Sequence, residues 1–249
     1  MIPFIFFIFS IQFLFGLEPR EKPIHLKTSV IVPCHKNHIP YLSDLLKTLS
    51  EQTCLPDEIV IALTKSQITS VPEIPKELPF HVELVLLERQ FPSHARNAAC
   101  EKCSGDLIIC QDADDIPHPQ RIEIIKHLFE QYHLDFLIHR WIPSSEQFSP
   151  YEINHSITKT YDIHSYSPDF EICSSHHTFD RVHSGNPAFL KKIFNKVKWP
   201  ERYTGEDVHF NTQVFRFFPK KVILDENLVM YRVELSSFKN RYSRPSQYH

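Results

Sequence analysis

Asp112-Ala113-Asp114-Asp115 places three carboxylates within four residues, directly after the apolar run Leu107-Ile108-Ile109-Cys110. Three such charges repel one another strongly, and a cation among them removes the penalty. Oxygen-only ligands suit a hard divalent ion such as Mg²⁺ or Mn²⁺, and ions of this kind usually also hold substrate phosphates. A second acidic pair, Glu206-Asp207, opens a later amphipathic stretch. A helix N-terminus favours the ionised carboxylate, which suits a proton acceptor. Together these groups point to a metal-dependent enzyme that handles a phosphorylated substrate. Turn chemistry before Pro117 accounts for an acid or two, but a third adds repulsion with no benefit to a turn. Thr204 to Asp207 also fits a helix capping box, a role that can coexist with catalysis.

The elements that must position these acids follow from periodicity. Thr28 to Pro33 is a β-branched run ended by proline, a buried strand. Leu42, Leu45, Leu46 and Leu49 recur at helical spacing. Further strands are expected at 57–63, 81–87, 107–110 and 134–138, with helices over 93–102 and through Ile122, Ile125, Leu128, Phe129 and Tyr132. A helix over 206–218 precedes strand-like 222–224 and 228–231. Strands alternating with helices imply an α/β fold with a largely parallel, doubly wound sheet. Ligands bind such sheets beyond the carboxyl ends of the strands. Pro33-Cys34-His35 and the Asp112–Asp115 cluster both fall at those ends and are expected near each other. Residues 143–181 carry little pattern and read as a substrate-facing excursion.

Composition narrows the class. At 249 residues, with 42% hydrophobic and 23% charged residues, the chain can bury a full core as one domain. A net charge of −3 gives no overall basic balance for nucleic acid. Residues 2–17 are nearly all Ile, Phe and Leu. A spanning helix needs about 20 apolar residues, so this segment reads as a signal peptide or a short membrane anchor, with N-terminal packing as the alternative. Export or membrane anchoring is therefore expected, with a cytoplasmic location as the alternative. Cys100 and Cys103 have zinc-ligand spacing but no second pair, so buried thiols are expected. His176, His177 and His183 read as solvated loop residues, and Trp141 and Trp199 as packing groups that could equally stack on a sugar.

The motifs Ser29 to Pro33, Leu49 to Thr53, Pro56 to Ile61, Ala95-Arg96-Asn97-Ala98-Ala99, Gly105 to Asp115, Gly185 to Phe189 and Gly205 to Val208 follow one another in order. In that order the chain resembles an inverting, nucleotide-sugar-dependent glycosyltransferase of family 2, with the Rossmann-like GT-A fold. The resemblance covers about residues 28–235. It implies that Asp112 contacts the ribose or base side of the nucleotide. It implies that Asp114 binds a metal, Mn²⁺ or Mg²⁺, bridging the diphosphate, with Asp115 beside it. Arg96 would lie near the diphosphate, while Pro33, His35 and Thr64 would border the base. Asp207 would be the general base, with Glu206 as the other catalytic acid of the pair.

The implied partners are a nucleotide-sugar donor and a glycan, lipid or protein acceptor. Leu63-Thr64 stand where the family commonly has an Asp pair, and His35-Lys36 where Tyr-Asn is usual, which leaves the nucleotide open. No processive Gln-x-x-Arg-Trp motif is present. The expected layout is a hydrophobic leader at 1–17, a linker at 18–27, the transferase domain at 28–235 and a polar tail at 236–249. A nucleotidyltransferase would call for a glycine-rich loop after the first strand, where Cys34-His35-Lys36-Asn37 has none. A non-catalytic sugar-binding relative that keeps only the fold is the third reading.

Overall fold

The computed structural model describes residues 25–64, 72–88, 91–144, 163–165, 185–202 and 205–232. The strands β1 (Thr28–Cys34), β2 (Glu58–Thr64), β3 (His81–Leu87) and β4 (Leu107–Cys110) lie parallel in the order β3-β2-β1-β4. Strands buried on both faces read as continuous β-branched runs, as β1, β2 and β4 do here. Their side chains alternate between two cores. Val30 and Val32 join one and Ile31 the other, as Ile59 and Val60 do on β2.

The first core is closed by α1 (Leu42–Ser50), through Leu42, Leu45, Leu46 and Leu49, and by α3 (Arg121–Tyr132), through Ile122, Ile125, Leu128 and Phe129. The opposite face is covered by α2 (Pro92–Lys102), the short α4 (Lys191–Phe194) and α5 (Glu206–Phe217). Trp199 stacks on Phe210 with ring centroids 3.9 Å apart, and Phe189 packs against both. Trp199 is therefore a core residue. Trp141 is also buried, set edge-on to Tyr231.

The second half of the sheet is mixed, with short antiparallel strands set among parallel ones. β8 (Ala188–Leu190) runs antiparallel between β4 and β6 (Phe136–Pro143). β9 (Lys221–Tyr231) lies parallel to β6, while β5 (Ile116–Pro117) and β7 (Ile163–Ser165) pair antiparallel with β9. The strand expected at 134–138 begins at Phe136 and continues to Pro143, and Leu134 packs into the core ahead of it. The two short strands expected at 222–224 and 228–231 are one. Their apparent gap is a bulge: His139 pairs with Leu224 and Arg140 with Asn227, so polar residues 225 and 226 are extra to the ladder.

Among the described residues no helix is long and apolar enough to cross a membrane. The apolar segment 1–17, the linker, the tail and His176, His177 and His183 lie outside the described residues, as does most of 143–181. Cys100 and Cys103 are buried free thiols, as expected, with burial the leading cause that raises both well above the ordinary thiol value.

One buried carboxylate ties the strand starts together. Glu58 accepts hydrogen bonds from the Ser29 hydroxyl (2.5 Å), the Ser104 N–H (2.6 Å) and hydroxyl (2.9 Å), and the Gly105 N–H (3.2 Å). Gly105 must be glycine here, since a Cβ would lie 2.8 Å from the Ser29 backbone nitrogen and 2.9 Å from the Lys27 carbonyl oxygen. Burial alone would raise the Glu58 carboxyl, but these donors outweigh it and hold the group below its ordinary range. A depressed carboxylate stabilises the fold above its unfolded pKa, and that contribution is lost as pH falls through the folded value. Glu58→Gln is therefore expected to cost about 1–3 kcal/mol at pH 7. The gap from wild type should close below about pH 4, read by urea denaturation at both pH values.

Candidate active site

The carboxyl ends of β1 and β4 meet the start of β8. Because β8 opposes β4, its leading residues lie beside the acid loop: the Cys110 N–H donates to the Pro187 carbonyl at 2.9 Å. The Asp112 N–H donates to Asn186 Oδ1 at 2.8 Å, and Asn186 Nδ2 donates to Asp115 Oδ2 at 3.0 Å. Gln111 Nε2 reaches the carbonyls of Asp112 (3.1 Å) and Asp115 (3.3 Å) from behind. The loop is thereby closed into a turn, with the Asp115 N–H on the Asp112 carbonyl at 3.2 Å.

The three acids point different ways. Asp115 is buried against Asn186. Asp112 faces α2, where Arg96 Nη2 donates to its Oδ1 at 3.0 Å. Asp114 faces the end of β1, where His38 Nδ1 lies 3.5 Å from its Oδ1. Burial, then repulsion from Asp112 and Asp115, pushes the Asp114 carboxyl up to about 6. Among the described residues no three His, Cys, Asp or Glu side chains converge as a complete metal cage. A hard divalent ion held by one or two carboxylates, with phosphates and water as its other ligands, fits such a donor set.

His38 belongs to a 3₁₀ turn, Lys36–Tyr41, that continues from β1 and is capped by His35, whose Nδ1 accepts from the Asn37 N–H at 3.3 Å. The structure thus brings Pro33 and His35 to the same end of the sheet as Asp114. Thr64 ends β2 opposite Leu87, one strand further out.

Arg96 is the join between the two acidic clusters. It is 5% exposed, and its Nη1 donates to Glu206 Oε1 at 2.6 Å while its Nη2 holds Asp112. Burial works against its charge, but Asp112, Glu206 and Asp207 outweigh it and raise the guanidinium above its ordinary value. Glu206 is itself buried, and burial raises its carboxyl despite Arg96. Asp207 remains partly exposed, its Oδ1 accepting from the Val208 N–H at 2.7 Å.

The N-cap of α5 is Gly205, in the left-handed region at φ 71°, so the capping box expected from Thr204 is displaced. Thr204 itself lies outside the described residues. The neighbour of Arg96 anchors the approach to α5: Asn97 donates to the Trp199 carbonyl (2.9 Å) and accepts from its N–H (3.1 Å). Adjacent residues of α2 therefore hold both ends of the segment that delivers Asp207.

Sequence reasoning gave no role to His38, Asn97, Gln111, Arg121 or Asn186. A signal was present for Arg121, which falls in phase with Ile124, Ile125 and Leu128 on the buried face of α3. A cation in register with an apolar stripe needs an internal partner.

Known proteins extend this geometry. The sequence model described as Glycosyl transferase family 2 matches residues 29–223. An uncharacterized glycosyltransferase, YwdF of Bacillus subtilis (strain 168), is 36% identical over 101 residues, covering 39% of this chain and 36% of the relative. The S. aureus TarS fragment 1-349 in complex with UDP-GlcNAc superposes with a TM-score of 0.64 at 20% identity, over 83% of this chain and 58% of that one. The mannosyltransferase PcManGT from Pyrobaculum calidifontis, in complex with GDP-Man and Mn²⁺, gives 0.59 at 15% identity, over 92% and 63%. The chain thus spans about a third of the curated relative and about three fifths of these structures. At such identities the structural likeness shows the fold, GT-A, and the match over residues 29–223 makes the chain a member of glycosyltransferase family 2.

Proposed function

We propose that this protein transfers a glycosyl group from a nucleotide-sugar donor to an acceptor hydroxyl, by a metal-dependent displacement that inverts the anomeric carbon. One observation carries the reading. A single buried guanidinium, Arg96, touches both Asp112, of the proposed donor side, and Glu206, beside the proposed base Asp207, and so ties the two acid groups together.

Asp114, with Asp115 beside it, would hold Mn²⁺ or Mg²⁺, which when bound neutralises the charge that develops on the departing diphosphate. Asp112, oriented by Arg96 and Asn186, would face the ribose, and Pro33, His35 and Thr64 would border the base. Asp207, on the first turn of α5, takes the proton from the acceptor hydroxyl. That oxygen bonds to the anomeric carbon as the carbon–phosphate oxygen bond breaks. The electron pair leaves with the nucleoside diphosphate, and the proton passes from Asp207 to water. Glu206 serves the same step by keeping Arg96 in place. The acceptor is a glycan, lipid or protein hydroxyl. The complexes of TarS with UDP-GlcNAc and of PcManGT with GDP-Man and Mn²⁺ support a nucleotide-sugar donor and a divalent ion.

The test is thermal stabilisation of the full chain by UDP-, GDP-, CMP- and dTDP-sugars, each with Mn²⁺ or with EDTA. A ligand at a hundredfold excess over its Kd adds about 2.7 kcal/mol, or roughly 5–10 °C for a chain of this size. One nucleotide class should give that shift with Mn²⁺ and lose it with EDTA. No shift with any donor at millimolar concentration overturns the proposal.

A further inference from the structure

Arg121 is the largest side chain among the described residues with no solvent exposure. It opens α3, yet its guanidinium turns away from the helix and into the seam between β4 and β8. Nη2 donates to the carbonyls of Cys110 (2.9 Å) and Asn186 (3.2 Å), Nη1 donates to Gln111 Oε1 (3.2 Å), and Nε donates to His139 Nε2 (3.1 Å). His139 can accept there because its other nitrogen, Nδ1, lies 2.9 Å from the Arg140 carbonyl, which fixes the proton on Nδ1. All four of these hydrogen bonds end on neutral groups, while Asp115 and Asp112 act on the guanidinium through space. Burial pulls the group down to about 10, so it still carries its charge at neutral pH.

Burying a guanidinium costs several kcal/mol, and leucine or methionine would continue the apolar stripe of α3 without that cost. What the arginine does in return can be read from its partners. Three of its four hydrogen bonds end on residues 110, 111 and 186, and 111 and 186 are the two side chains that grip Asp112 and Asp115. The positive charge also lies behind an acid loop whose members repel one another.

We propose that Arg121, working through Asn186 and Gln111, is the positioning residue of the Asp112–Asp115 loop, and fixes its carboxylates in the arrangement that receives the divalent ion. The inference rests on the metal-dependent reading above and assigns no contact between Arg121 and substrate. Groups that orient metal ligands from behind typically carry a 10–100-fold share of metal affinity or activity.

The experiment titrates the purified full chain with Mn²⁺ alone, following free Mn²⁺ by EPR, alongside thermal melts in EDTA. Arg121→Lys keeps a charge but cannot reach all four partners, and Mn²⁺ should bind roughly 10–100-fold more weakly while the near-UV CD spectrum stays that of wild type. Asn186→Leu leaves the arginine in place, removes the direct grip on Asp112 and Asp115, and should weaken Mn²⁺ as much; it carries the test if Arg121→Lys does not fold. Unchanged Mn²⁺ affinity in a folded Arg121→Lys or Asn186→Leu variant overturns the positioning role while leaving the metal reading intact. Failure of the wild-type chain to bind Mn²⁺, both alone and with a nucleoside diphosphate present, overturns the metal reading, and this inference with it.

Discussion

Asp207→Asn should lower kcat by roughly 10²–10⁴-fold, the range that a positioned general base contributes, while donor affinity stays at the wild-type value. The amide keeps the volume and the hydrogen bond from the Val208 N–H, so the start of α5 is preserved and only proton acceptance is lost. In the proposed arrangement the donor contacts lie on the other side of Arg96, with Asp112 and Asp114. Binding of the nucleotide sugar, measured by calorimetry, and turnover, measured by release of nucleoside diphosphate, should therefore separate cleanly. A variant that turns over like wild type removes Asp207 from the proton-transfer step.

Asp114→Asn should act in the opposite sense on binding. Loss of one electrostatic contact to a developing oxyanion typically costs about 10²–10³-fold in rate, or roughly 3–4 kcal/mol, and here the Mn²⁺-dependent part of donor binding should vanish as well. Stability should move the other way. A carboxyl whose folded pKa is raised to about 6 binds protons more tightly in the folded state than in the unfolded one. The contribution of this group to wild-type stability in EDTA must then fall as pH rises from the unfolded value through about 6. An amide at this position carries no charge to be repelled by Asp112 and Asp115, so the variant should lack this decline and match or exceed wild type at pH 7. Urea midpoints at pH 4 and pH 7, with and without the substitution, measure the difference. Equal pH dependence in the two proteins would show that the acid loop carries no unrelieved repulsion.

The parallel half of the sheet was legible because β1, β2 and β4 are apolar β-branched runs, and α1 shows leucines in strict helical phase. The acid loop was legible because crowded carboxylates need a reason. The mixed half was not. β8 has three residues, too few for any period to register, and β9 hides its continuity behind polar residues at a bulge. The internal ion pairs left a readable trace all the same. Arg96 shares its face of α2 with Ala99 and Cys100, and Glu206 shares its face of α5 with Phe210 and Val214. A charge set in phase with buried apolar neighbours declares that a counter-charge waits inside, though not which one.

The shortness of β8 has a consequence for how this chain can change. Ala188 packs into the core on one side of the sheet and Phe189 into the core on the other, with Asn186 held against the acid loop just ahead of them. Strand side chains alternate faces, so inserting or deleting a single residue here would exchange the two. The phenylalanine would be forced among α1 and α3, the aromatic stack around Trp199 would lose its partner, and the amide grip on Asp112 would slip out of reach. Length variation at this seam is therefore an all-or-nothing event that couples packing and chemistry.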